Sequence, residues 1–211
     1  HNRCRRQRQM CIRDSNAGGQ LRLRAIVTRS NSEKDISNRA SLLRTDSVHG
    51  IFTGTVKEDF KNEALIINGR TVNMIAAKSP DSIDYTDYGI QDALVIDNTG
   101  VFRDKEALSL HLKSKGVSKV LLTAPGKGVP NIVFGINHKV DVDNTSIFSA
   151  ASCTTNAITP ILEVIEKHLG VVKGHLETIH AYTNDQNLVD NIHNKYRRGR
   201  AAALNLSLIH I

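Results

Sequence analysis

Cys153 is the residue whose type and setting first promise chemistry. It lies in Ser152-Cys153-Thr154-Thr155-Asn156, directly ahead of an apolar pattern at Ile158, Ile161, Leu162, Ile165 and Leu169 that ends at Gly170. That spacing predicts a helix with Ser152 or a neighbour as its N-cap, and Pro160 should kink it or loosen its first turns. A cysteine at a helix start meets unpaired backbone N–H groups and the positive end of the helix dipole, and both favour thiolate over thiol. An anion could bind at the same terminus. A nucleophilic thiol also needs a group that takes or holds its proton, and near neutral pH histidine is the usual one. His180 is the candidate. It falls on a long strand predicted over Val171–Tyr182, whose Leu176, Thr178, His180 and Tyr182 share one face. On type and spacing alone, an inert small hydrophobe and a structural histidine are the commoner roles.

The elements that must position this pair follow from the rest of the pattern. Leu21–Val27 alternates apolar and basic residues, as a strand does. Residues 35–44 form a short helix with Ile36, Ala40 and Leu43 on one side. Ile51–Val56 and Leu65–Ile67 are short strands, and Asn68-Gly69 is a hairpin turn signal. Ala93–Asp97 is a continuous apolar run of the buried parallel type. A helix over 104–115 with Leu108 and Leu112 follows it, capped by Gly116, and then a buried strand, Val117–Leu122. Strand, helix and strand in this order make a βαβ unit, so the fold class is α/β.

Composition bounds the function. The 211 residues are 40% hydrophobic, 23% charged and 4% aromatic, which suits a globular protein with a sizeable core. No run approaches the roughly 18 apolar residues of a membrane span, and no secretory signal is visible, so no membrane partner is expected. The net charge is +7, but residues 1–15 hold five arginines against one acid. The body is therefore close to neutral, and no nucleic-acid partner is expected. Cys4 and Cys11 also lie in that segment, leaving Cys153 alone in the body. One thiol cannot form an internal disulfide, which fits a reducing, cytoplasmic setting. Residues 1–15 and 206–211 are read as non-native tails.

Exact words sharpen this reading. Ala151-Ser152-Cys153-Thr154-Thr155-Asn156 resembles the active-site signature of the phosphorylating glyceraldehyde-3-phosphate dehydrogenases. His180-Ala181-Tyr182-Thr183-Asn184-Asp185-Gln186 and Arg197-Arg198-Gly199-Arg200-Ala201-Ala202 resemble the same family's second and third signatures. The likeness extends upstream through Arg44–Gly50, Asn98–Phe102 and Thr123–Pro125. It implies a partial Rossmann-type dinucleotide-binding domain over 16–151 and the start of an α+β catalytic domain over 152–205. It implies oxidation of glyceraldehyde 3-phosphate to 1,3-bisphosphoglycerate by the parent protein, a homotetramer, with inorganic phosphate as co-substrate. Cys153 would form the thiohemiacetal and thioester, and His180 would act as the base. Ser152, Thr154, Thr183, Arg197 and Arg200 match positions that bind substrate or inorganic phosphate. Hydroxyls and guanidinium forks hold such oxyanions well. Lys78, Thr99, Gly100, Thr123 and Asn184 fall where the family contacts NAD or NADP, and no metal site is expected.

Two departures from the family pattern stand out. No G-x-G-x-x-G follows a first strand, so the chain reads as the middle of an enzyme lacking both ends, inactive alone and prone to aggregate. Thr28-Arg29-Ser30 also stands where an acid normally takes the adenosine ribose. Thr28 and Arg29 could accommodate a 2′-phosphate, which points to NADP or dual use. Two alternatives compete: an erythrose-4-phosphate dehydrogenase-like paralogue, and a non-catalytic nucleotide- or RNA-binding fragment.

Overall fold

The computed structural model describes residues 21–47, 50–139, 144–183, 185–194, 196–204 and 209–210. The expected tail 1–15 and the cofactor candidate Asn184 lie outside the described residues. The described chain divides into two compact units, one ending at Ser152 and the other beginning at Cys153.

In the first unit, β1 (Ala25–Thr28) starts four residues later than the Leu21–Val27 alternation suggests and leads into α1 (Glu33–Arg44). Ser32 caps this helix by accepting the Asp35 N–H, and Ile36, Ala40 and Leu43 are buried on one side, as their spacing requires. Short strands β2 (Thr45–Asp46) and β3 (Gly50–Ile51) pair antiparallel. They are followed by β4 (Val56–Asp59), β5 (Ala64–Ile67) and β6 (Arg70–Ala76). The single strand expected over Ile51–Val56 is thus split between β3 and β4, and Phe52 in the break is buried in the core.

One sheet has the order β1-β6-β5-β4, with β1 parallel to β6 and the other pairs antiparallel. Asn68 and Gly69 both take positive φ, 51° and 77°, the geometry of the tight turn that joins β5 to β6. A core of Ile26, Ile36, Leu43, Leu65, Val72 and Met74 glues α1 to this sheet.

A second sheet holds β7 (Ala93–Asp97), β8 (Val117–Leu122) and β9 (Ile147–Ser149), all parallel. Between β7 and β8 run α2 (Lys105–Ser109) and a 3-10 turn, Leu110–Lys113. This is the βαβ unit expected from the sequence, and the fold is α/β. Its helix is tighter than predicted over the second half of 104–115. The chain then passes Gly116 at φ +88°, where any Cβ would stand 2.5 Å from the Ile90 carbonyl oxygen. Leu108, Val120 and Leu122 are fully buried. β7 is less buried than its apolar run implies, because it ends the β7-β8-β9 order and leaves Leu94 43% exposed.

The second unit opens with α3 (Cys153–Leu169), which continues past Pro160 to Gly170. Gly170 takes φ +73° and donates its N–H to the Glu166 carbonyl, a left-handed helix stop. None of its residues is buried. The long strand expected over Val171–Tyr182 is only β10 (Glu177–Thr178), paired antiparallel with β11 (Ile209–His210). Alternation supplies a face, but a strand extends only as far as a partner's hydrogen bonds reach. Among the described residues, no helix is long and apolar enough to cross a membrane.

Candidate active site

Cys153 is the first residue of α3, and the Nε2 of His180 lies 3.3 Å from its Sγ. The two signature residues, 27 positions apart, are in hydrogen-bond contact. The other ring nitrogen of His180, Nδ1, is 2.6 Å from the Ala181 carbonyl oxygen. A carbonyl can only accept, so Nδ1 carries hydrogen and Nε2 is the nitrogen that exchanges a proton with sulfur.

The electrostatics agree with this assignment. The His180 hydrogen bond leads the effects that hold the Cys153 thiol below its usual range, and the backbone amides of Thr154 and Cys153 add to it against a smaller burial cost. His180 is raised, first by its bond to Ala181 and then by Cys153. Both shifts favour a thiolate–imidazolium pair. Both residues are exposed, so a small substrate can reach the sulfur.

The anion-binding candidates fall at three places along the chain. Ser152 and Thr154 flank Cys153 in the chain, and both are half-buried. Thr183 is exposed, and its N–H donates to the Gln186 side chain. Arg200 is tied to Asp190 at 2.8 Å, and Arg198 is paired with Asp185. Arg197 lies in the 3-10 segment Tyr196–Gly199. These arginines belong to a loop that folds on itself, where Asn187 and Asn191 donate to the Arg198 and Gly199 carbonyls.

The cofactor candidates fall at two places of one kind, the carboxyl ends of parallel strand pairs. In a twisted parallel sheet this is where dinucleotides bind. Thr28 ends β1 in register with Ala76 of β6, and the Ala77 N–H donates to the Thr28 carbonyl. Arg29 and Lys78 follow these strand ends, both exposed. Thr28 is buried and its hydroxyl donates to the Ser30 carbonyl, 2.6 Å away. Ser30, just past this strand end, and Ser32 both donate to Oδ2 of Asp35 in α1 at 2.5 Å.

At the other strand pair, Asp97 ends β7 and Thr123 follows β8. The Thr123 hydroxyl donates to the carbonyl oxygens of the Asp97 backbone and the Asn98 side chain, which ties Thr123 to the strand end that leads into Thr99 and Gly100.

Sequence reasoning missed two residues here. Asp97 is 2% exposed and accepts from the Thr99 N–H at 2.6 Å and from His111 Nε2 at 3.0 Å. Burial pushes its carboxyl up, but the hydrogen bonds from His111 and Thr99 together outweigh that and leave it below its ordinary value. The available signal was a histidine between Leu108 and Leu112, on the face that must pack against β7 and β8.

Comparison with known proteins gives a consistent result. The family model described as glyceraldehyde 3-phosphate dehydrogenase, NAD binding domain, matches residues 10–105. The one described as glyceraldehyde 3-phosphate dehydrogenase, C-terminal domain, matches residues 152–207. A glyceraldehyde-3-phosphate dehydrogenase-like protein of Pseudomonas aeruginosa (strain UCBPP-PA14) is 54% identical over 199 residues, covering 94% of this chain and 43% of its own length. Glyceraldehyde-3-phosphate dehydrogenase of Thermotoga maritima is 39% identical over 198 residues, covering 89% and 58%. The chloroplastic glyceraldehyde-3-phosphate dehydrogenase A of Nicotiana tabacum is 39% identical over 177 residues, covering 83% and 44%. The chain spans about half the length of the curated relatives it matches.

Proposed function

Because the chain belongs to the glyceraldehyde-3-phosphate dehydrogenase family, we propose that a protein of its relatives' full length carrying these residues oxidises and phosphorylates glyceraldehyde 3-phosphate to 1,3-bisphosphoglycerate. The observation that carries this reading is the 3.3 Å contact between Cys153 Sγ and His180 Nε2 at the start of a helix.

The thiolate attacks the aldehyde carbon, and the new oxyanion takes the Nε2 proton of His180, giving a thiohemiacetal on Cys153. Bound NAD or NADP supplies the hydride acceptor. As the carbon is oxidised, His180 recovers the hydroxyl proton and Cys153 is left as a thioester. An oxygen of inorganic phosphate then attacks the thioester carbon, the C–S bond breaks, and the acyl phosphate departs with the thiolate restored.

Ser152 and Thr154, flanking the sulfur, hold the attacking phosphate. Thr183, Arg197 and Arg200 are the candidates for the substrate phosphate, and Arg200 would exchange its ion pair with Asp190 for that group. The parallel strand ends fit a dinucleotide, with Thr28, Arg29 and Lys78 at one and Thr99, Gly100 and Thr123 at the other. The protein is proposed to assemble as a homotetramer and to work in the cytoplasm.

The test is a phosphate-dependent turnover assay in the full-length protein, with Cys153→Ser and His180→Asn compared against the native residues. Cys153→Ser should abolish turnover, and His180→Asn should lower it about a hundredfold or more through lost acid–base catalysis. Full activity in Cys153→Ser would defeat the reading, and turnover that does not need phosphate would defeat its phosphorylating half.

A further inference from the structure

His111 grips the Asn98–Phe102 loop from both ends. At one end its Nε2 meets Asp97 Oδ2 at 3.0 Å, while Asp97 Oδ1 accepts the Thr99 N–H at 2.6 Å. At the other end the Phe102 ring stands edge-on to the imidazole, with centroids 5.6 Å apart and planes at 80°. Within the loop the Val101 N–H donates to the Thr99 hydroxyl, and Arg103 Nε donates to the Gly100 carbonyl. Gly100 takes φ +71°.

The cost of the arrangement argues for a purpose. Asp97 and His111 are 2% and 8% exposed, and the buried Nδ1 of His111 has no hydrogen-bond partner. An unsatisfied buried polar atom costs stability, and the pair carries that cost at Nδ1 while it satisfies the buried Asp97 carboxylate. What the imidazole adds is direction. It fixes one carboxylate oxygen so that the other is held on a single backbone amide.

We propose that His111, acting through Asp97, is the positioning residue for the Thr99–Gly100 segment and presets it for the dinucleotide. This rests on the reading that Thr99 and Gly100 contact NAD or NADP, and it assigns to His111 a role that involves no contact with the cofactor. Holding the loop in its bound shape beforehand removes an ordering cost from binding. Cofactor affinity should therefore depend on a side chain that never touches it.

The test has two readouts, the first made on the 211-residue chain. Amide hydrogen exchange at Thr99 reports the clamp. In His111→Leu it should quicken about tenfold or more, the loss of one charge-assisted hydrogen bond, while the Leu65 and Val72 amides in the other sheet keep their rates. His111→Gln, whose side-chain amide can donate to Asp97, should restore most of the protection. Asp97→Asn gives the same comparison with almost no change in volume. Unchanged exchange at Thr99 in both His111→Leu and Asp97→Asn overturns the proposal, as does equal acceleration at Leu65 and Val72.

Titration with NAD and NADP, in a protein of the relatives' full length, is the second readout. The dissociation constant should rise about tenfold in His111→Leu and recover in His111→Gln. An unchanged constant beside a loosened loop overturns the positioning role. A native protein of that length that takes up neither dinucleotide overturns the cofactor reading itself, and the exchange result still decides the clamp.

Discussion

His180 stands between two partners of opposite demand: its Nδ1 donates to the Ala181 carbonyl at 2.6 Å, and its Nε2 faces the Cys153 sulfur at 3.3 Å. The backbone thereby selects which nitrogen does the chemistry. With Nδ1 committed, Nε2 is a base toward the thiol and an acid toward an oxyanion, the two duties the proposed cycle requires.

This pairing makes the thiol titratable by alkylation. Cys153 lies below its ordinary 9.0, and His180 is the leading cause. Iodoacetamide should therefore react with a midpoint below pH 9, and His180→Ala should move that midpoint upward. Near pH 7 the variant should react more slowly, since a higher thiol pKa leaves less thiolate. Identical pH–rate curves would show that the contact does not tune the sulfur.

The position of Asp35 bears on cofactor choice. Its carboxylate is held by Ser30 and Ser32 at the end of β1 and lowered first by Ser30, so it stays ionised at neutral pH. A fixed negative charge there accepts from a ribose hydroxyl and repels a 2′-phosphate. In the full-length protein, Asp35→Asn should shift the ratio of KM values toward NADP by about tenfold. A ratio that does not move would leave Thr28 and Arg29 as the determinants and favour the NADP or dual use expected from sequence.

The Arg44–Glu58 pair makes a pH-dependent contribution to stability. Arg44 donates to both carboxylate oxygens of Glu58, at 2.9 and 2.6 Å, and to the Val56 carbonyl. Arg44 holds Glu58 below its ordinary 4.5, so the stabilisation is present above that value and is lost as pH falls through the lowered one. Because the pair is partly exposed, Glu58→Gln should cost only about 1 kcal/mol at pH 7 and less at pH 3. Denaturant midpoints at the two pH values measure this directly.

Gly116 and Leu108 test the core beneath the cofactor loop. Gly116→Ala forces a side chain onto φ +88° and against the Ile90 carbonyl, so it should destabilise the first unit by about 2 kcal/mol or more. Leu108→Ala opens a cavity at a fully buried position and should cost about 3 kcal/mol. Urea unfolding of each variant gives the values. Neither should alter the alkylation rate of Cys153, whose pairing with His180 is made wholly within the second unit.

Local rules read the first unit well. Asn68-Gly69 specified its turn because two consecutive positive φ values suit few other residues. Ile36, Ala40 and Leu43 specified a buried helix side because the period of 3.6 leaves no other arrangement. The 93–97 and 117–122 runs were legible to the residue. The second unit was less legible. The alternation at Leu176 and Thr178 is real, both being half-buried, but whether Val171–Tyr182 becomes a strand depends on a partner far along the chain. Cys153 and His180 were legible as words, and their contact only as geometry. Asp35, Asp97 and His111 escaped because each acts across a turn or between elements, where spacing carries no signature.

α3 keeps no residue buried, although Ile161, Leu162, Val164 and Ile165 line much of its length. A helix of 17 residues without a packed side is held mainly by its own ladder, close to the length at which helix and coil balance in water. The Thr154 and Cys153 amides that add to the His180 effect on the thiol keep that placement only while the first turn is wound. Part of the sulfur's acidity thus becomes a gauge of helix content. Warming the chain should unwind α3 first, and the thiol should drift back toward an ordinary cysteine before the sheets of the first unit give way.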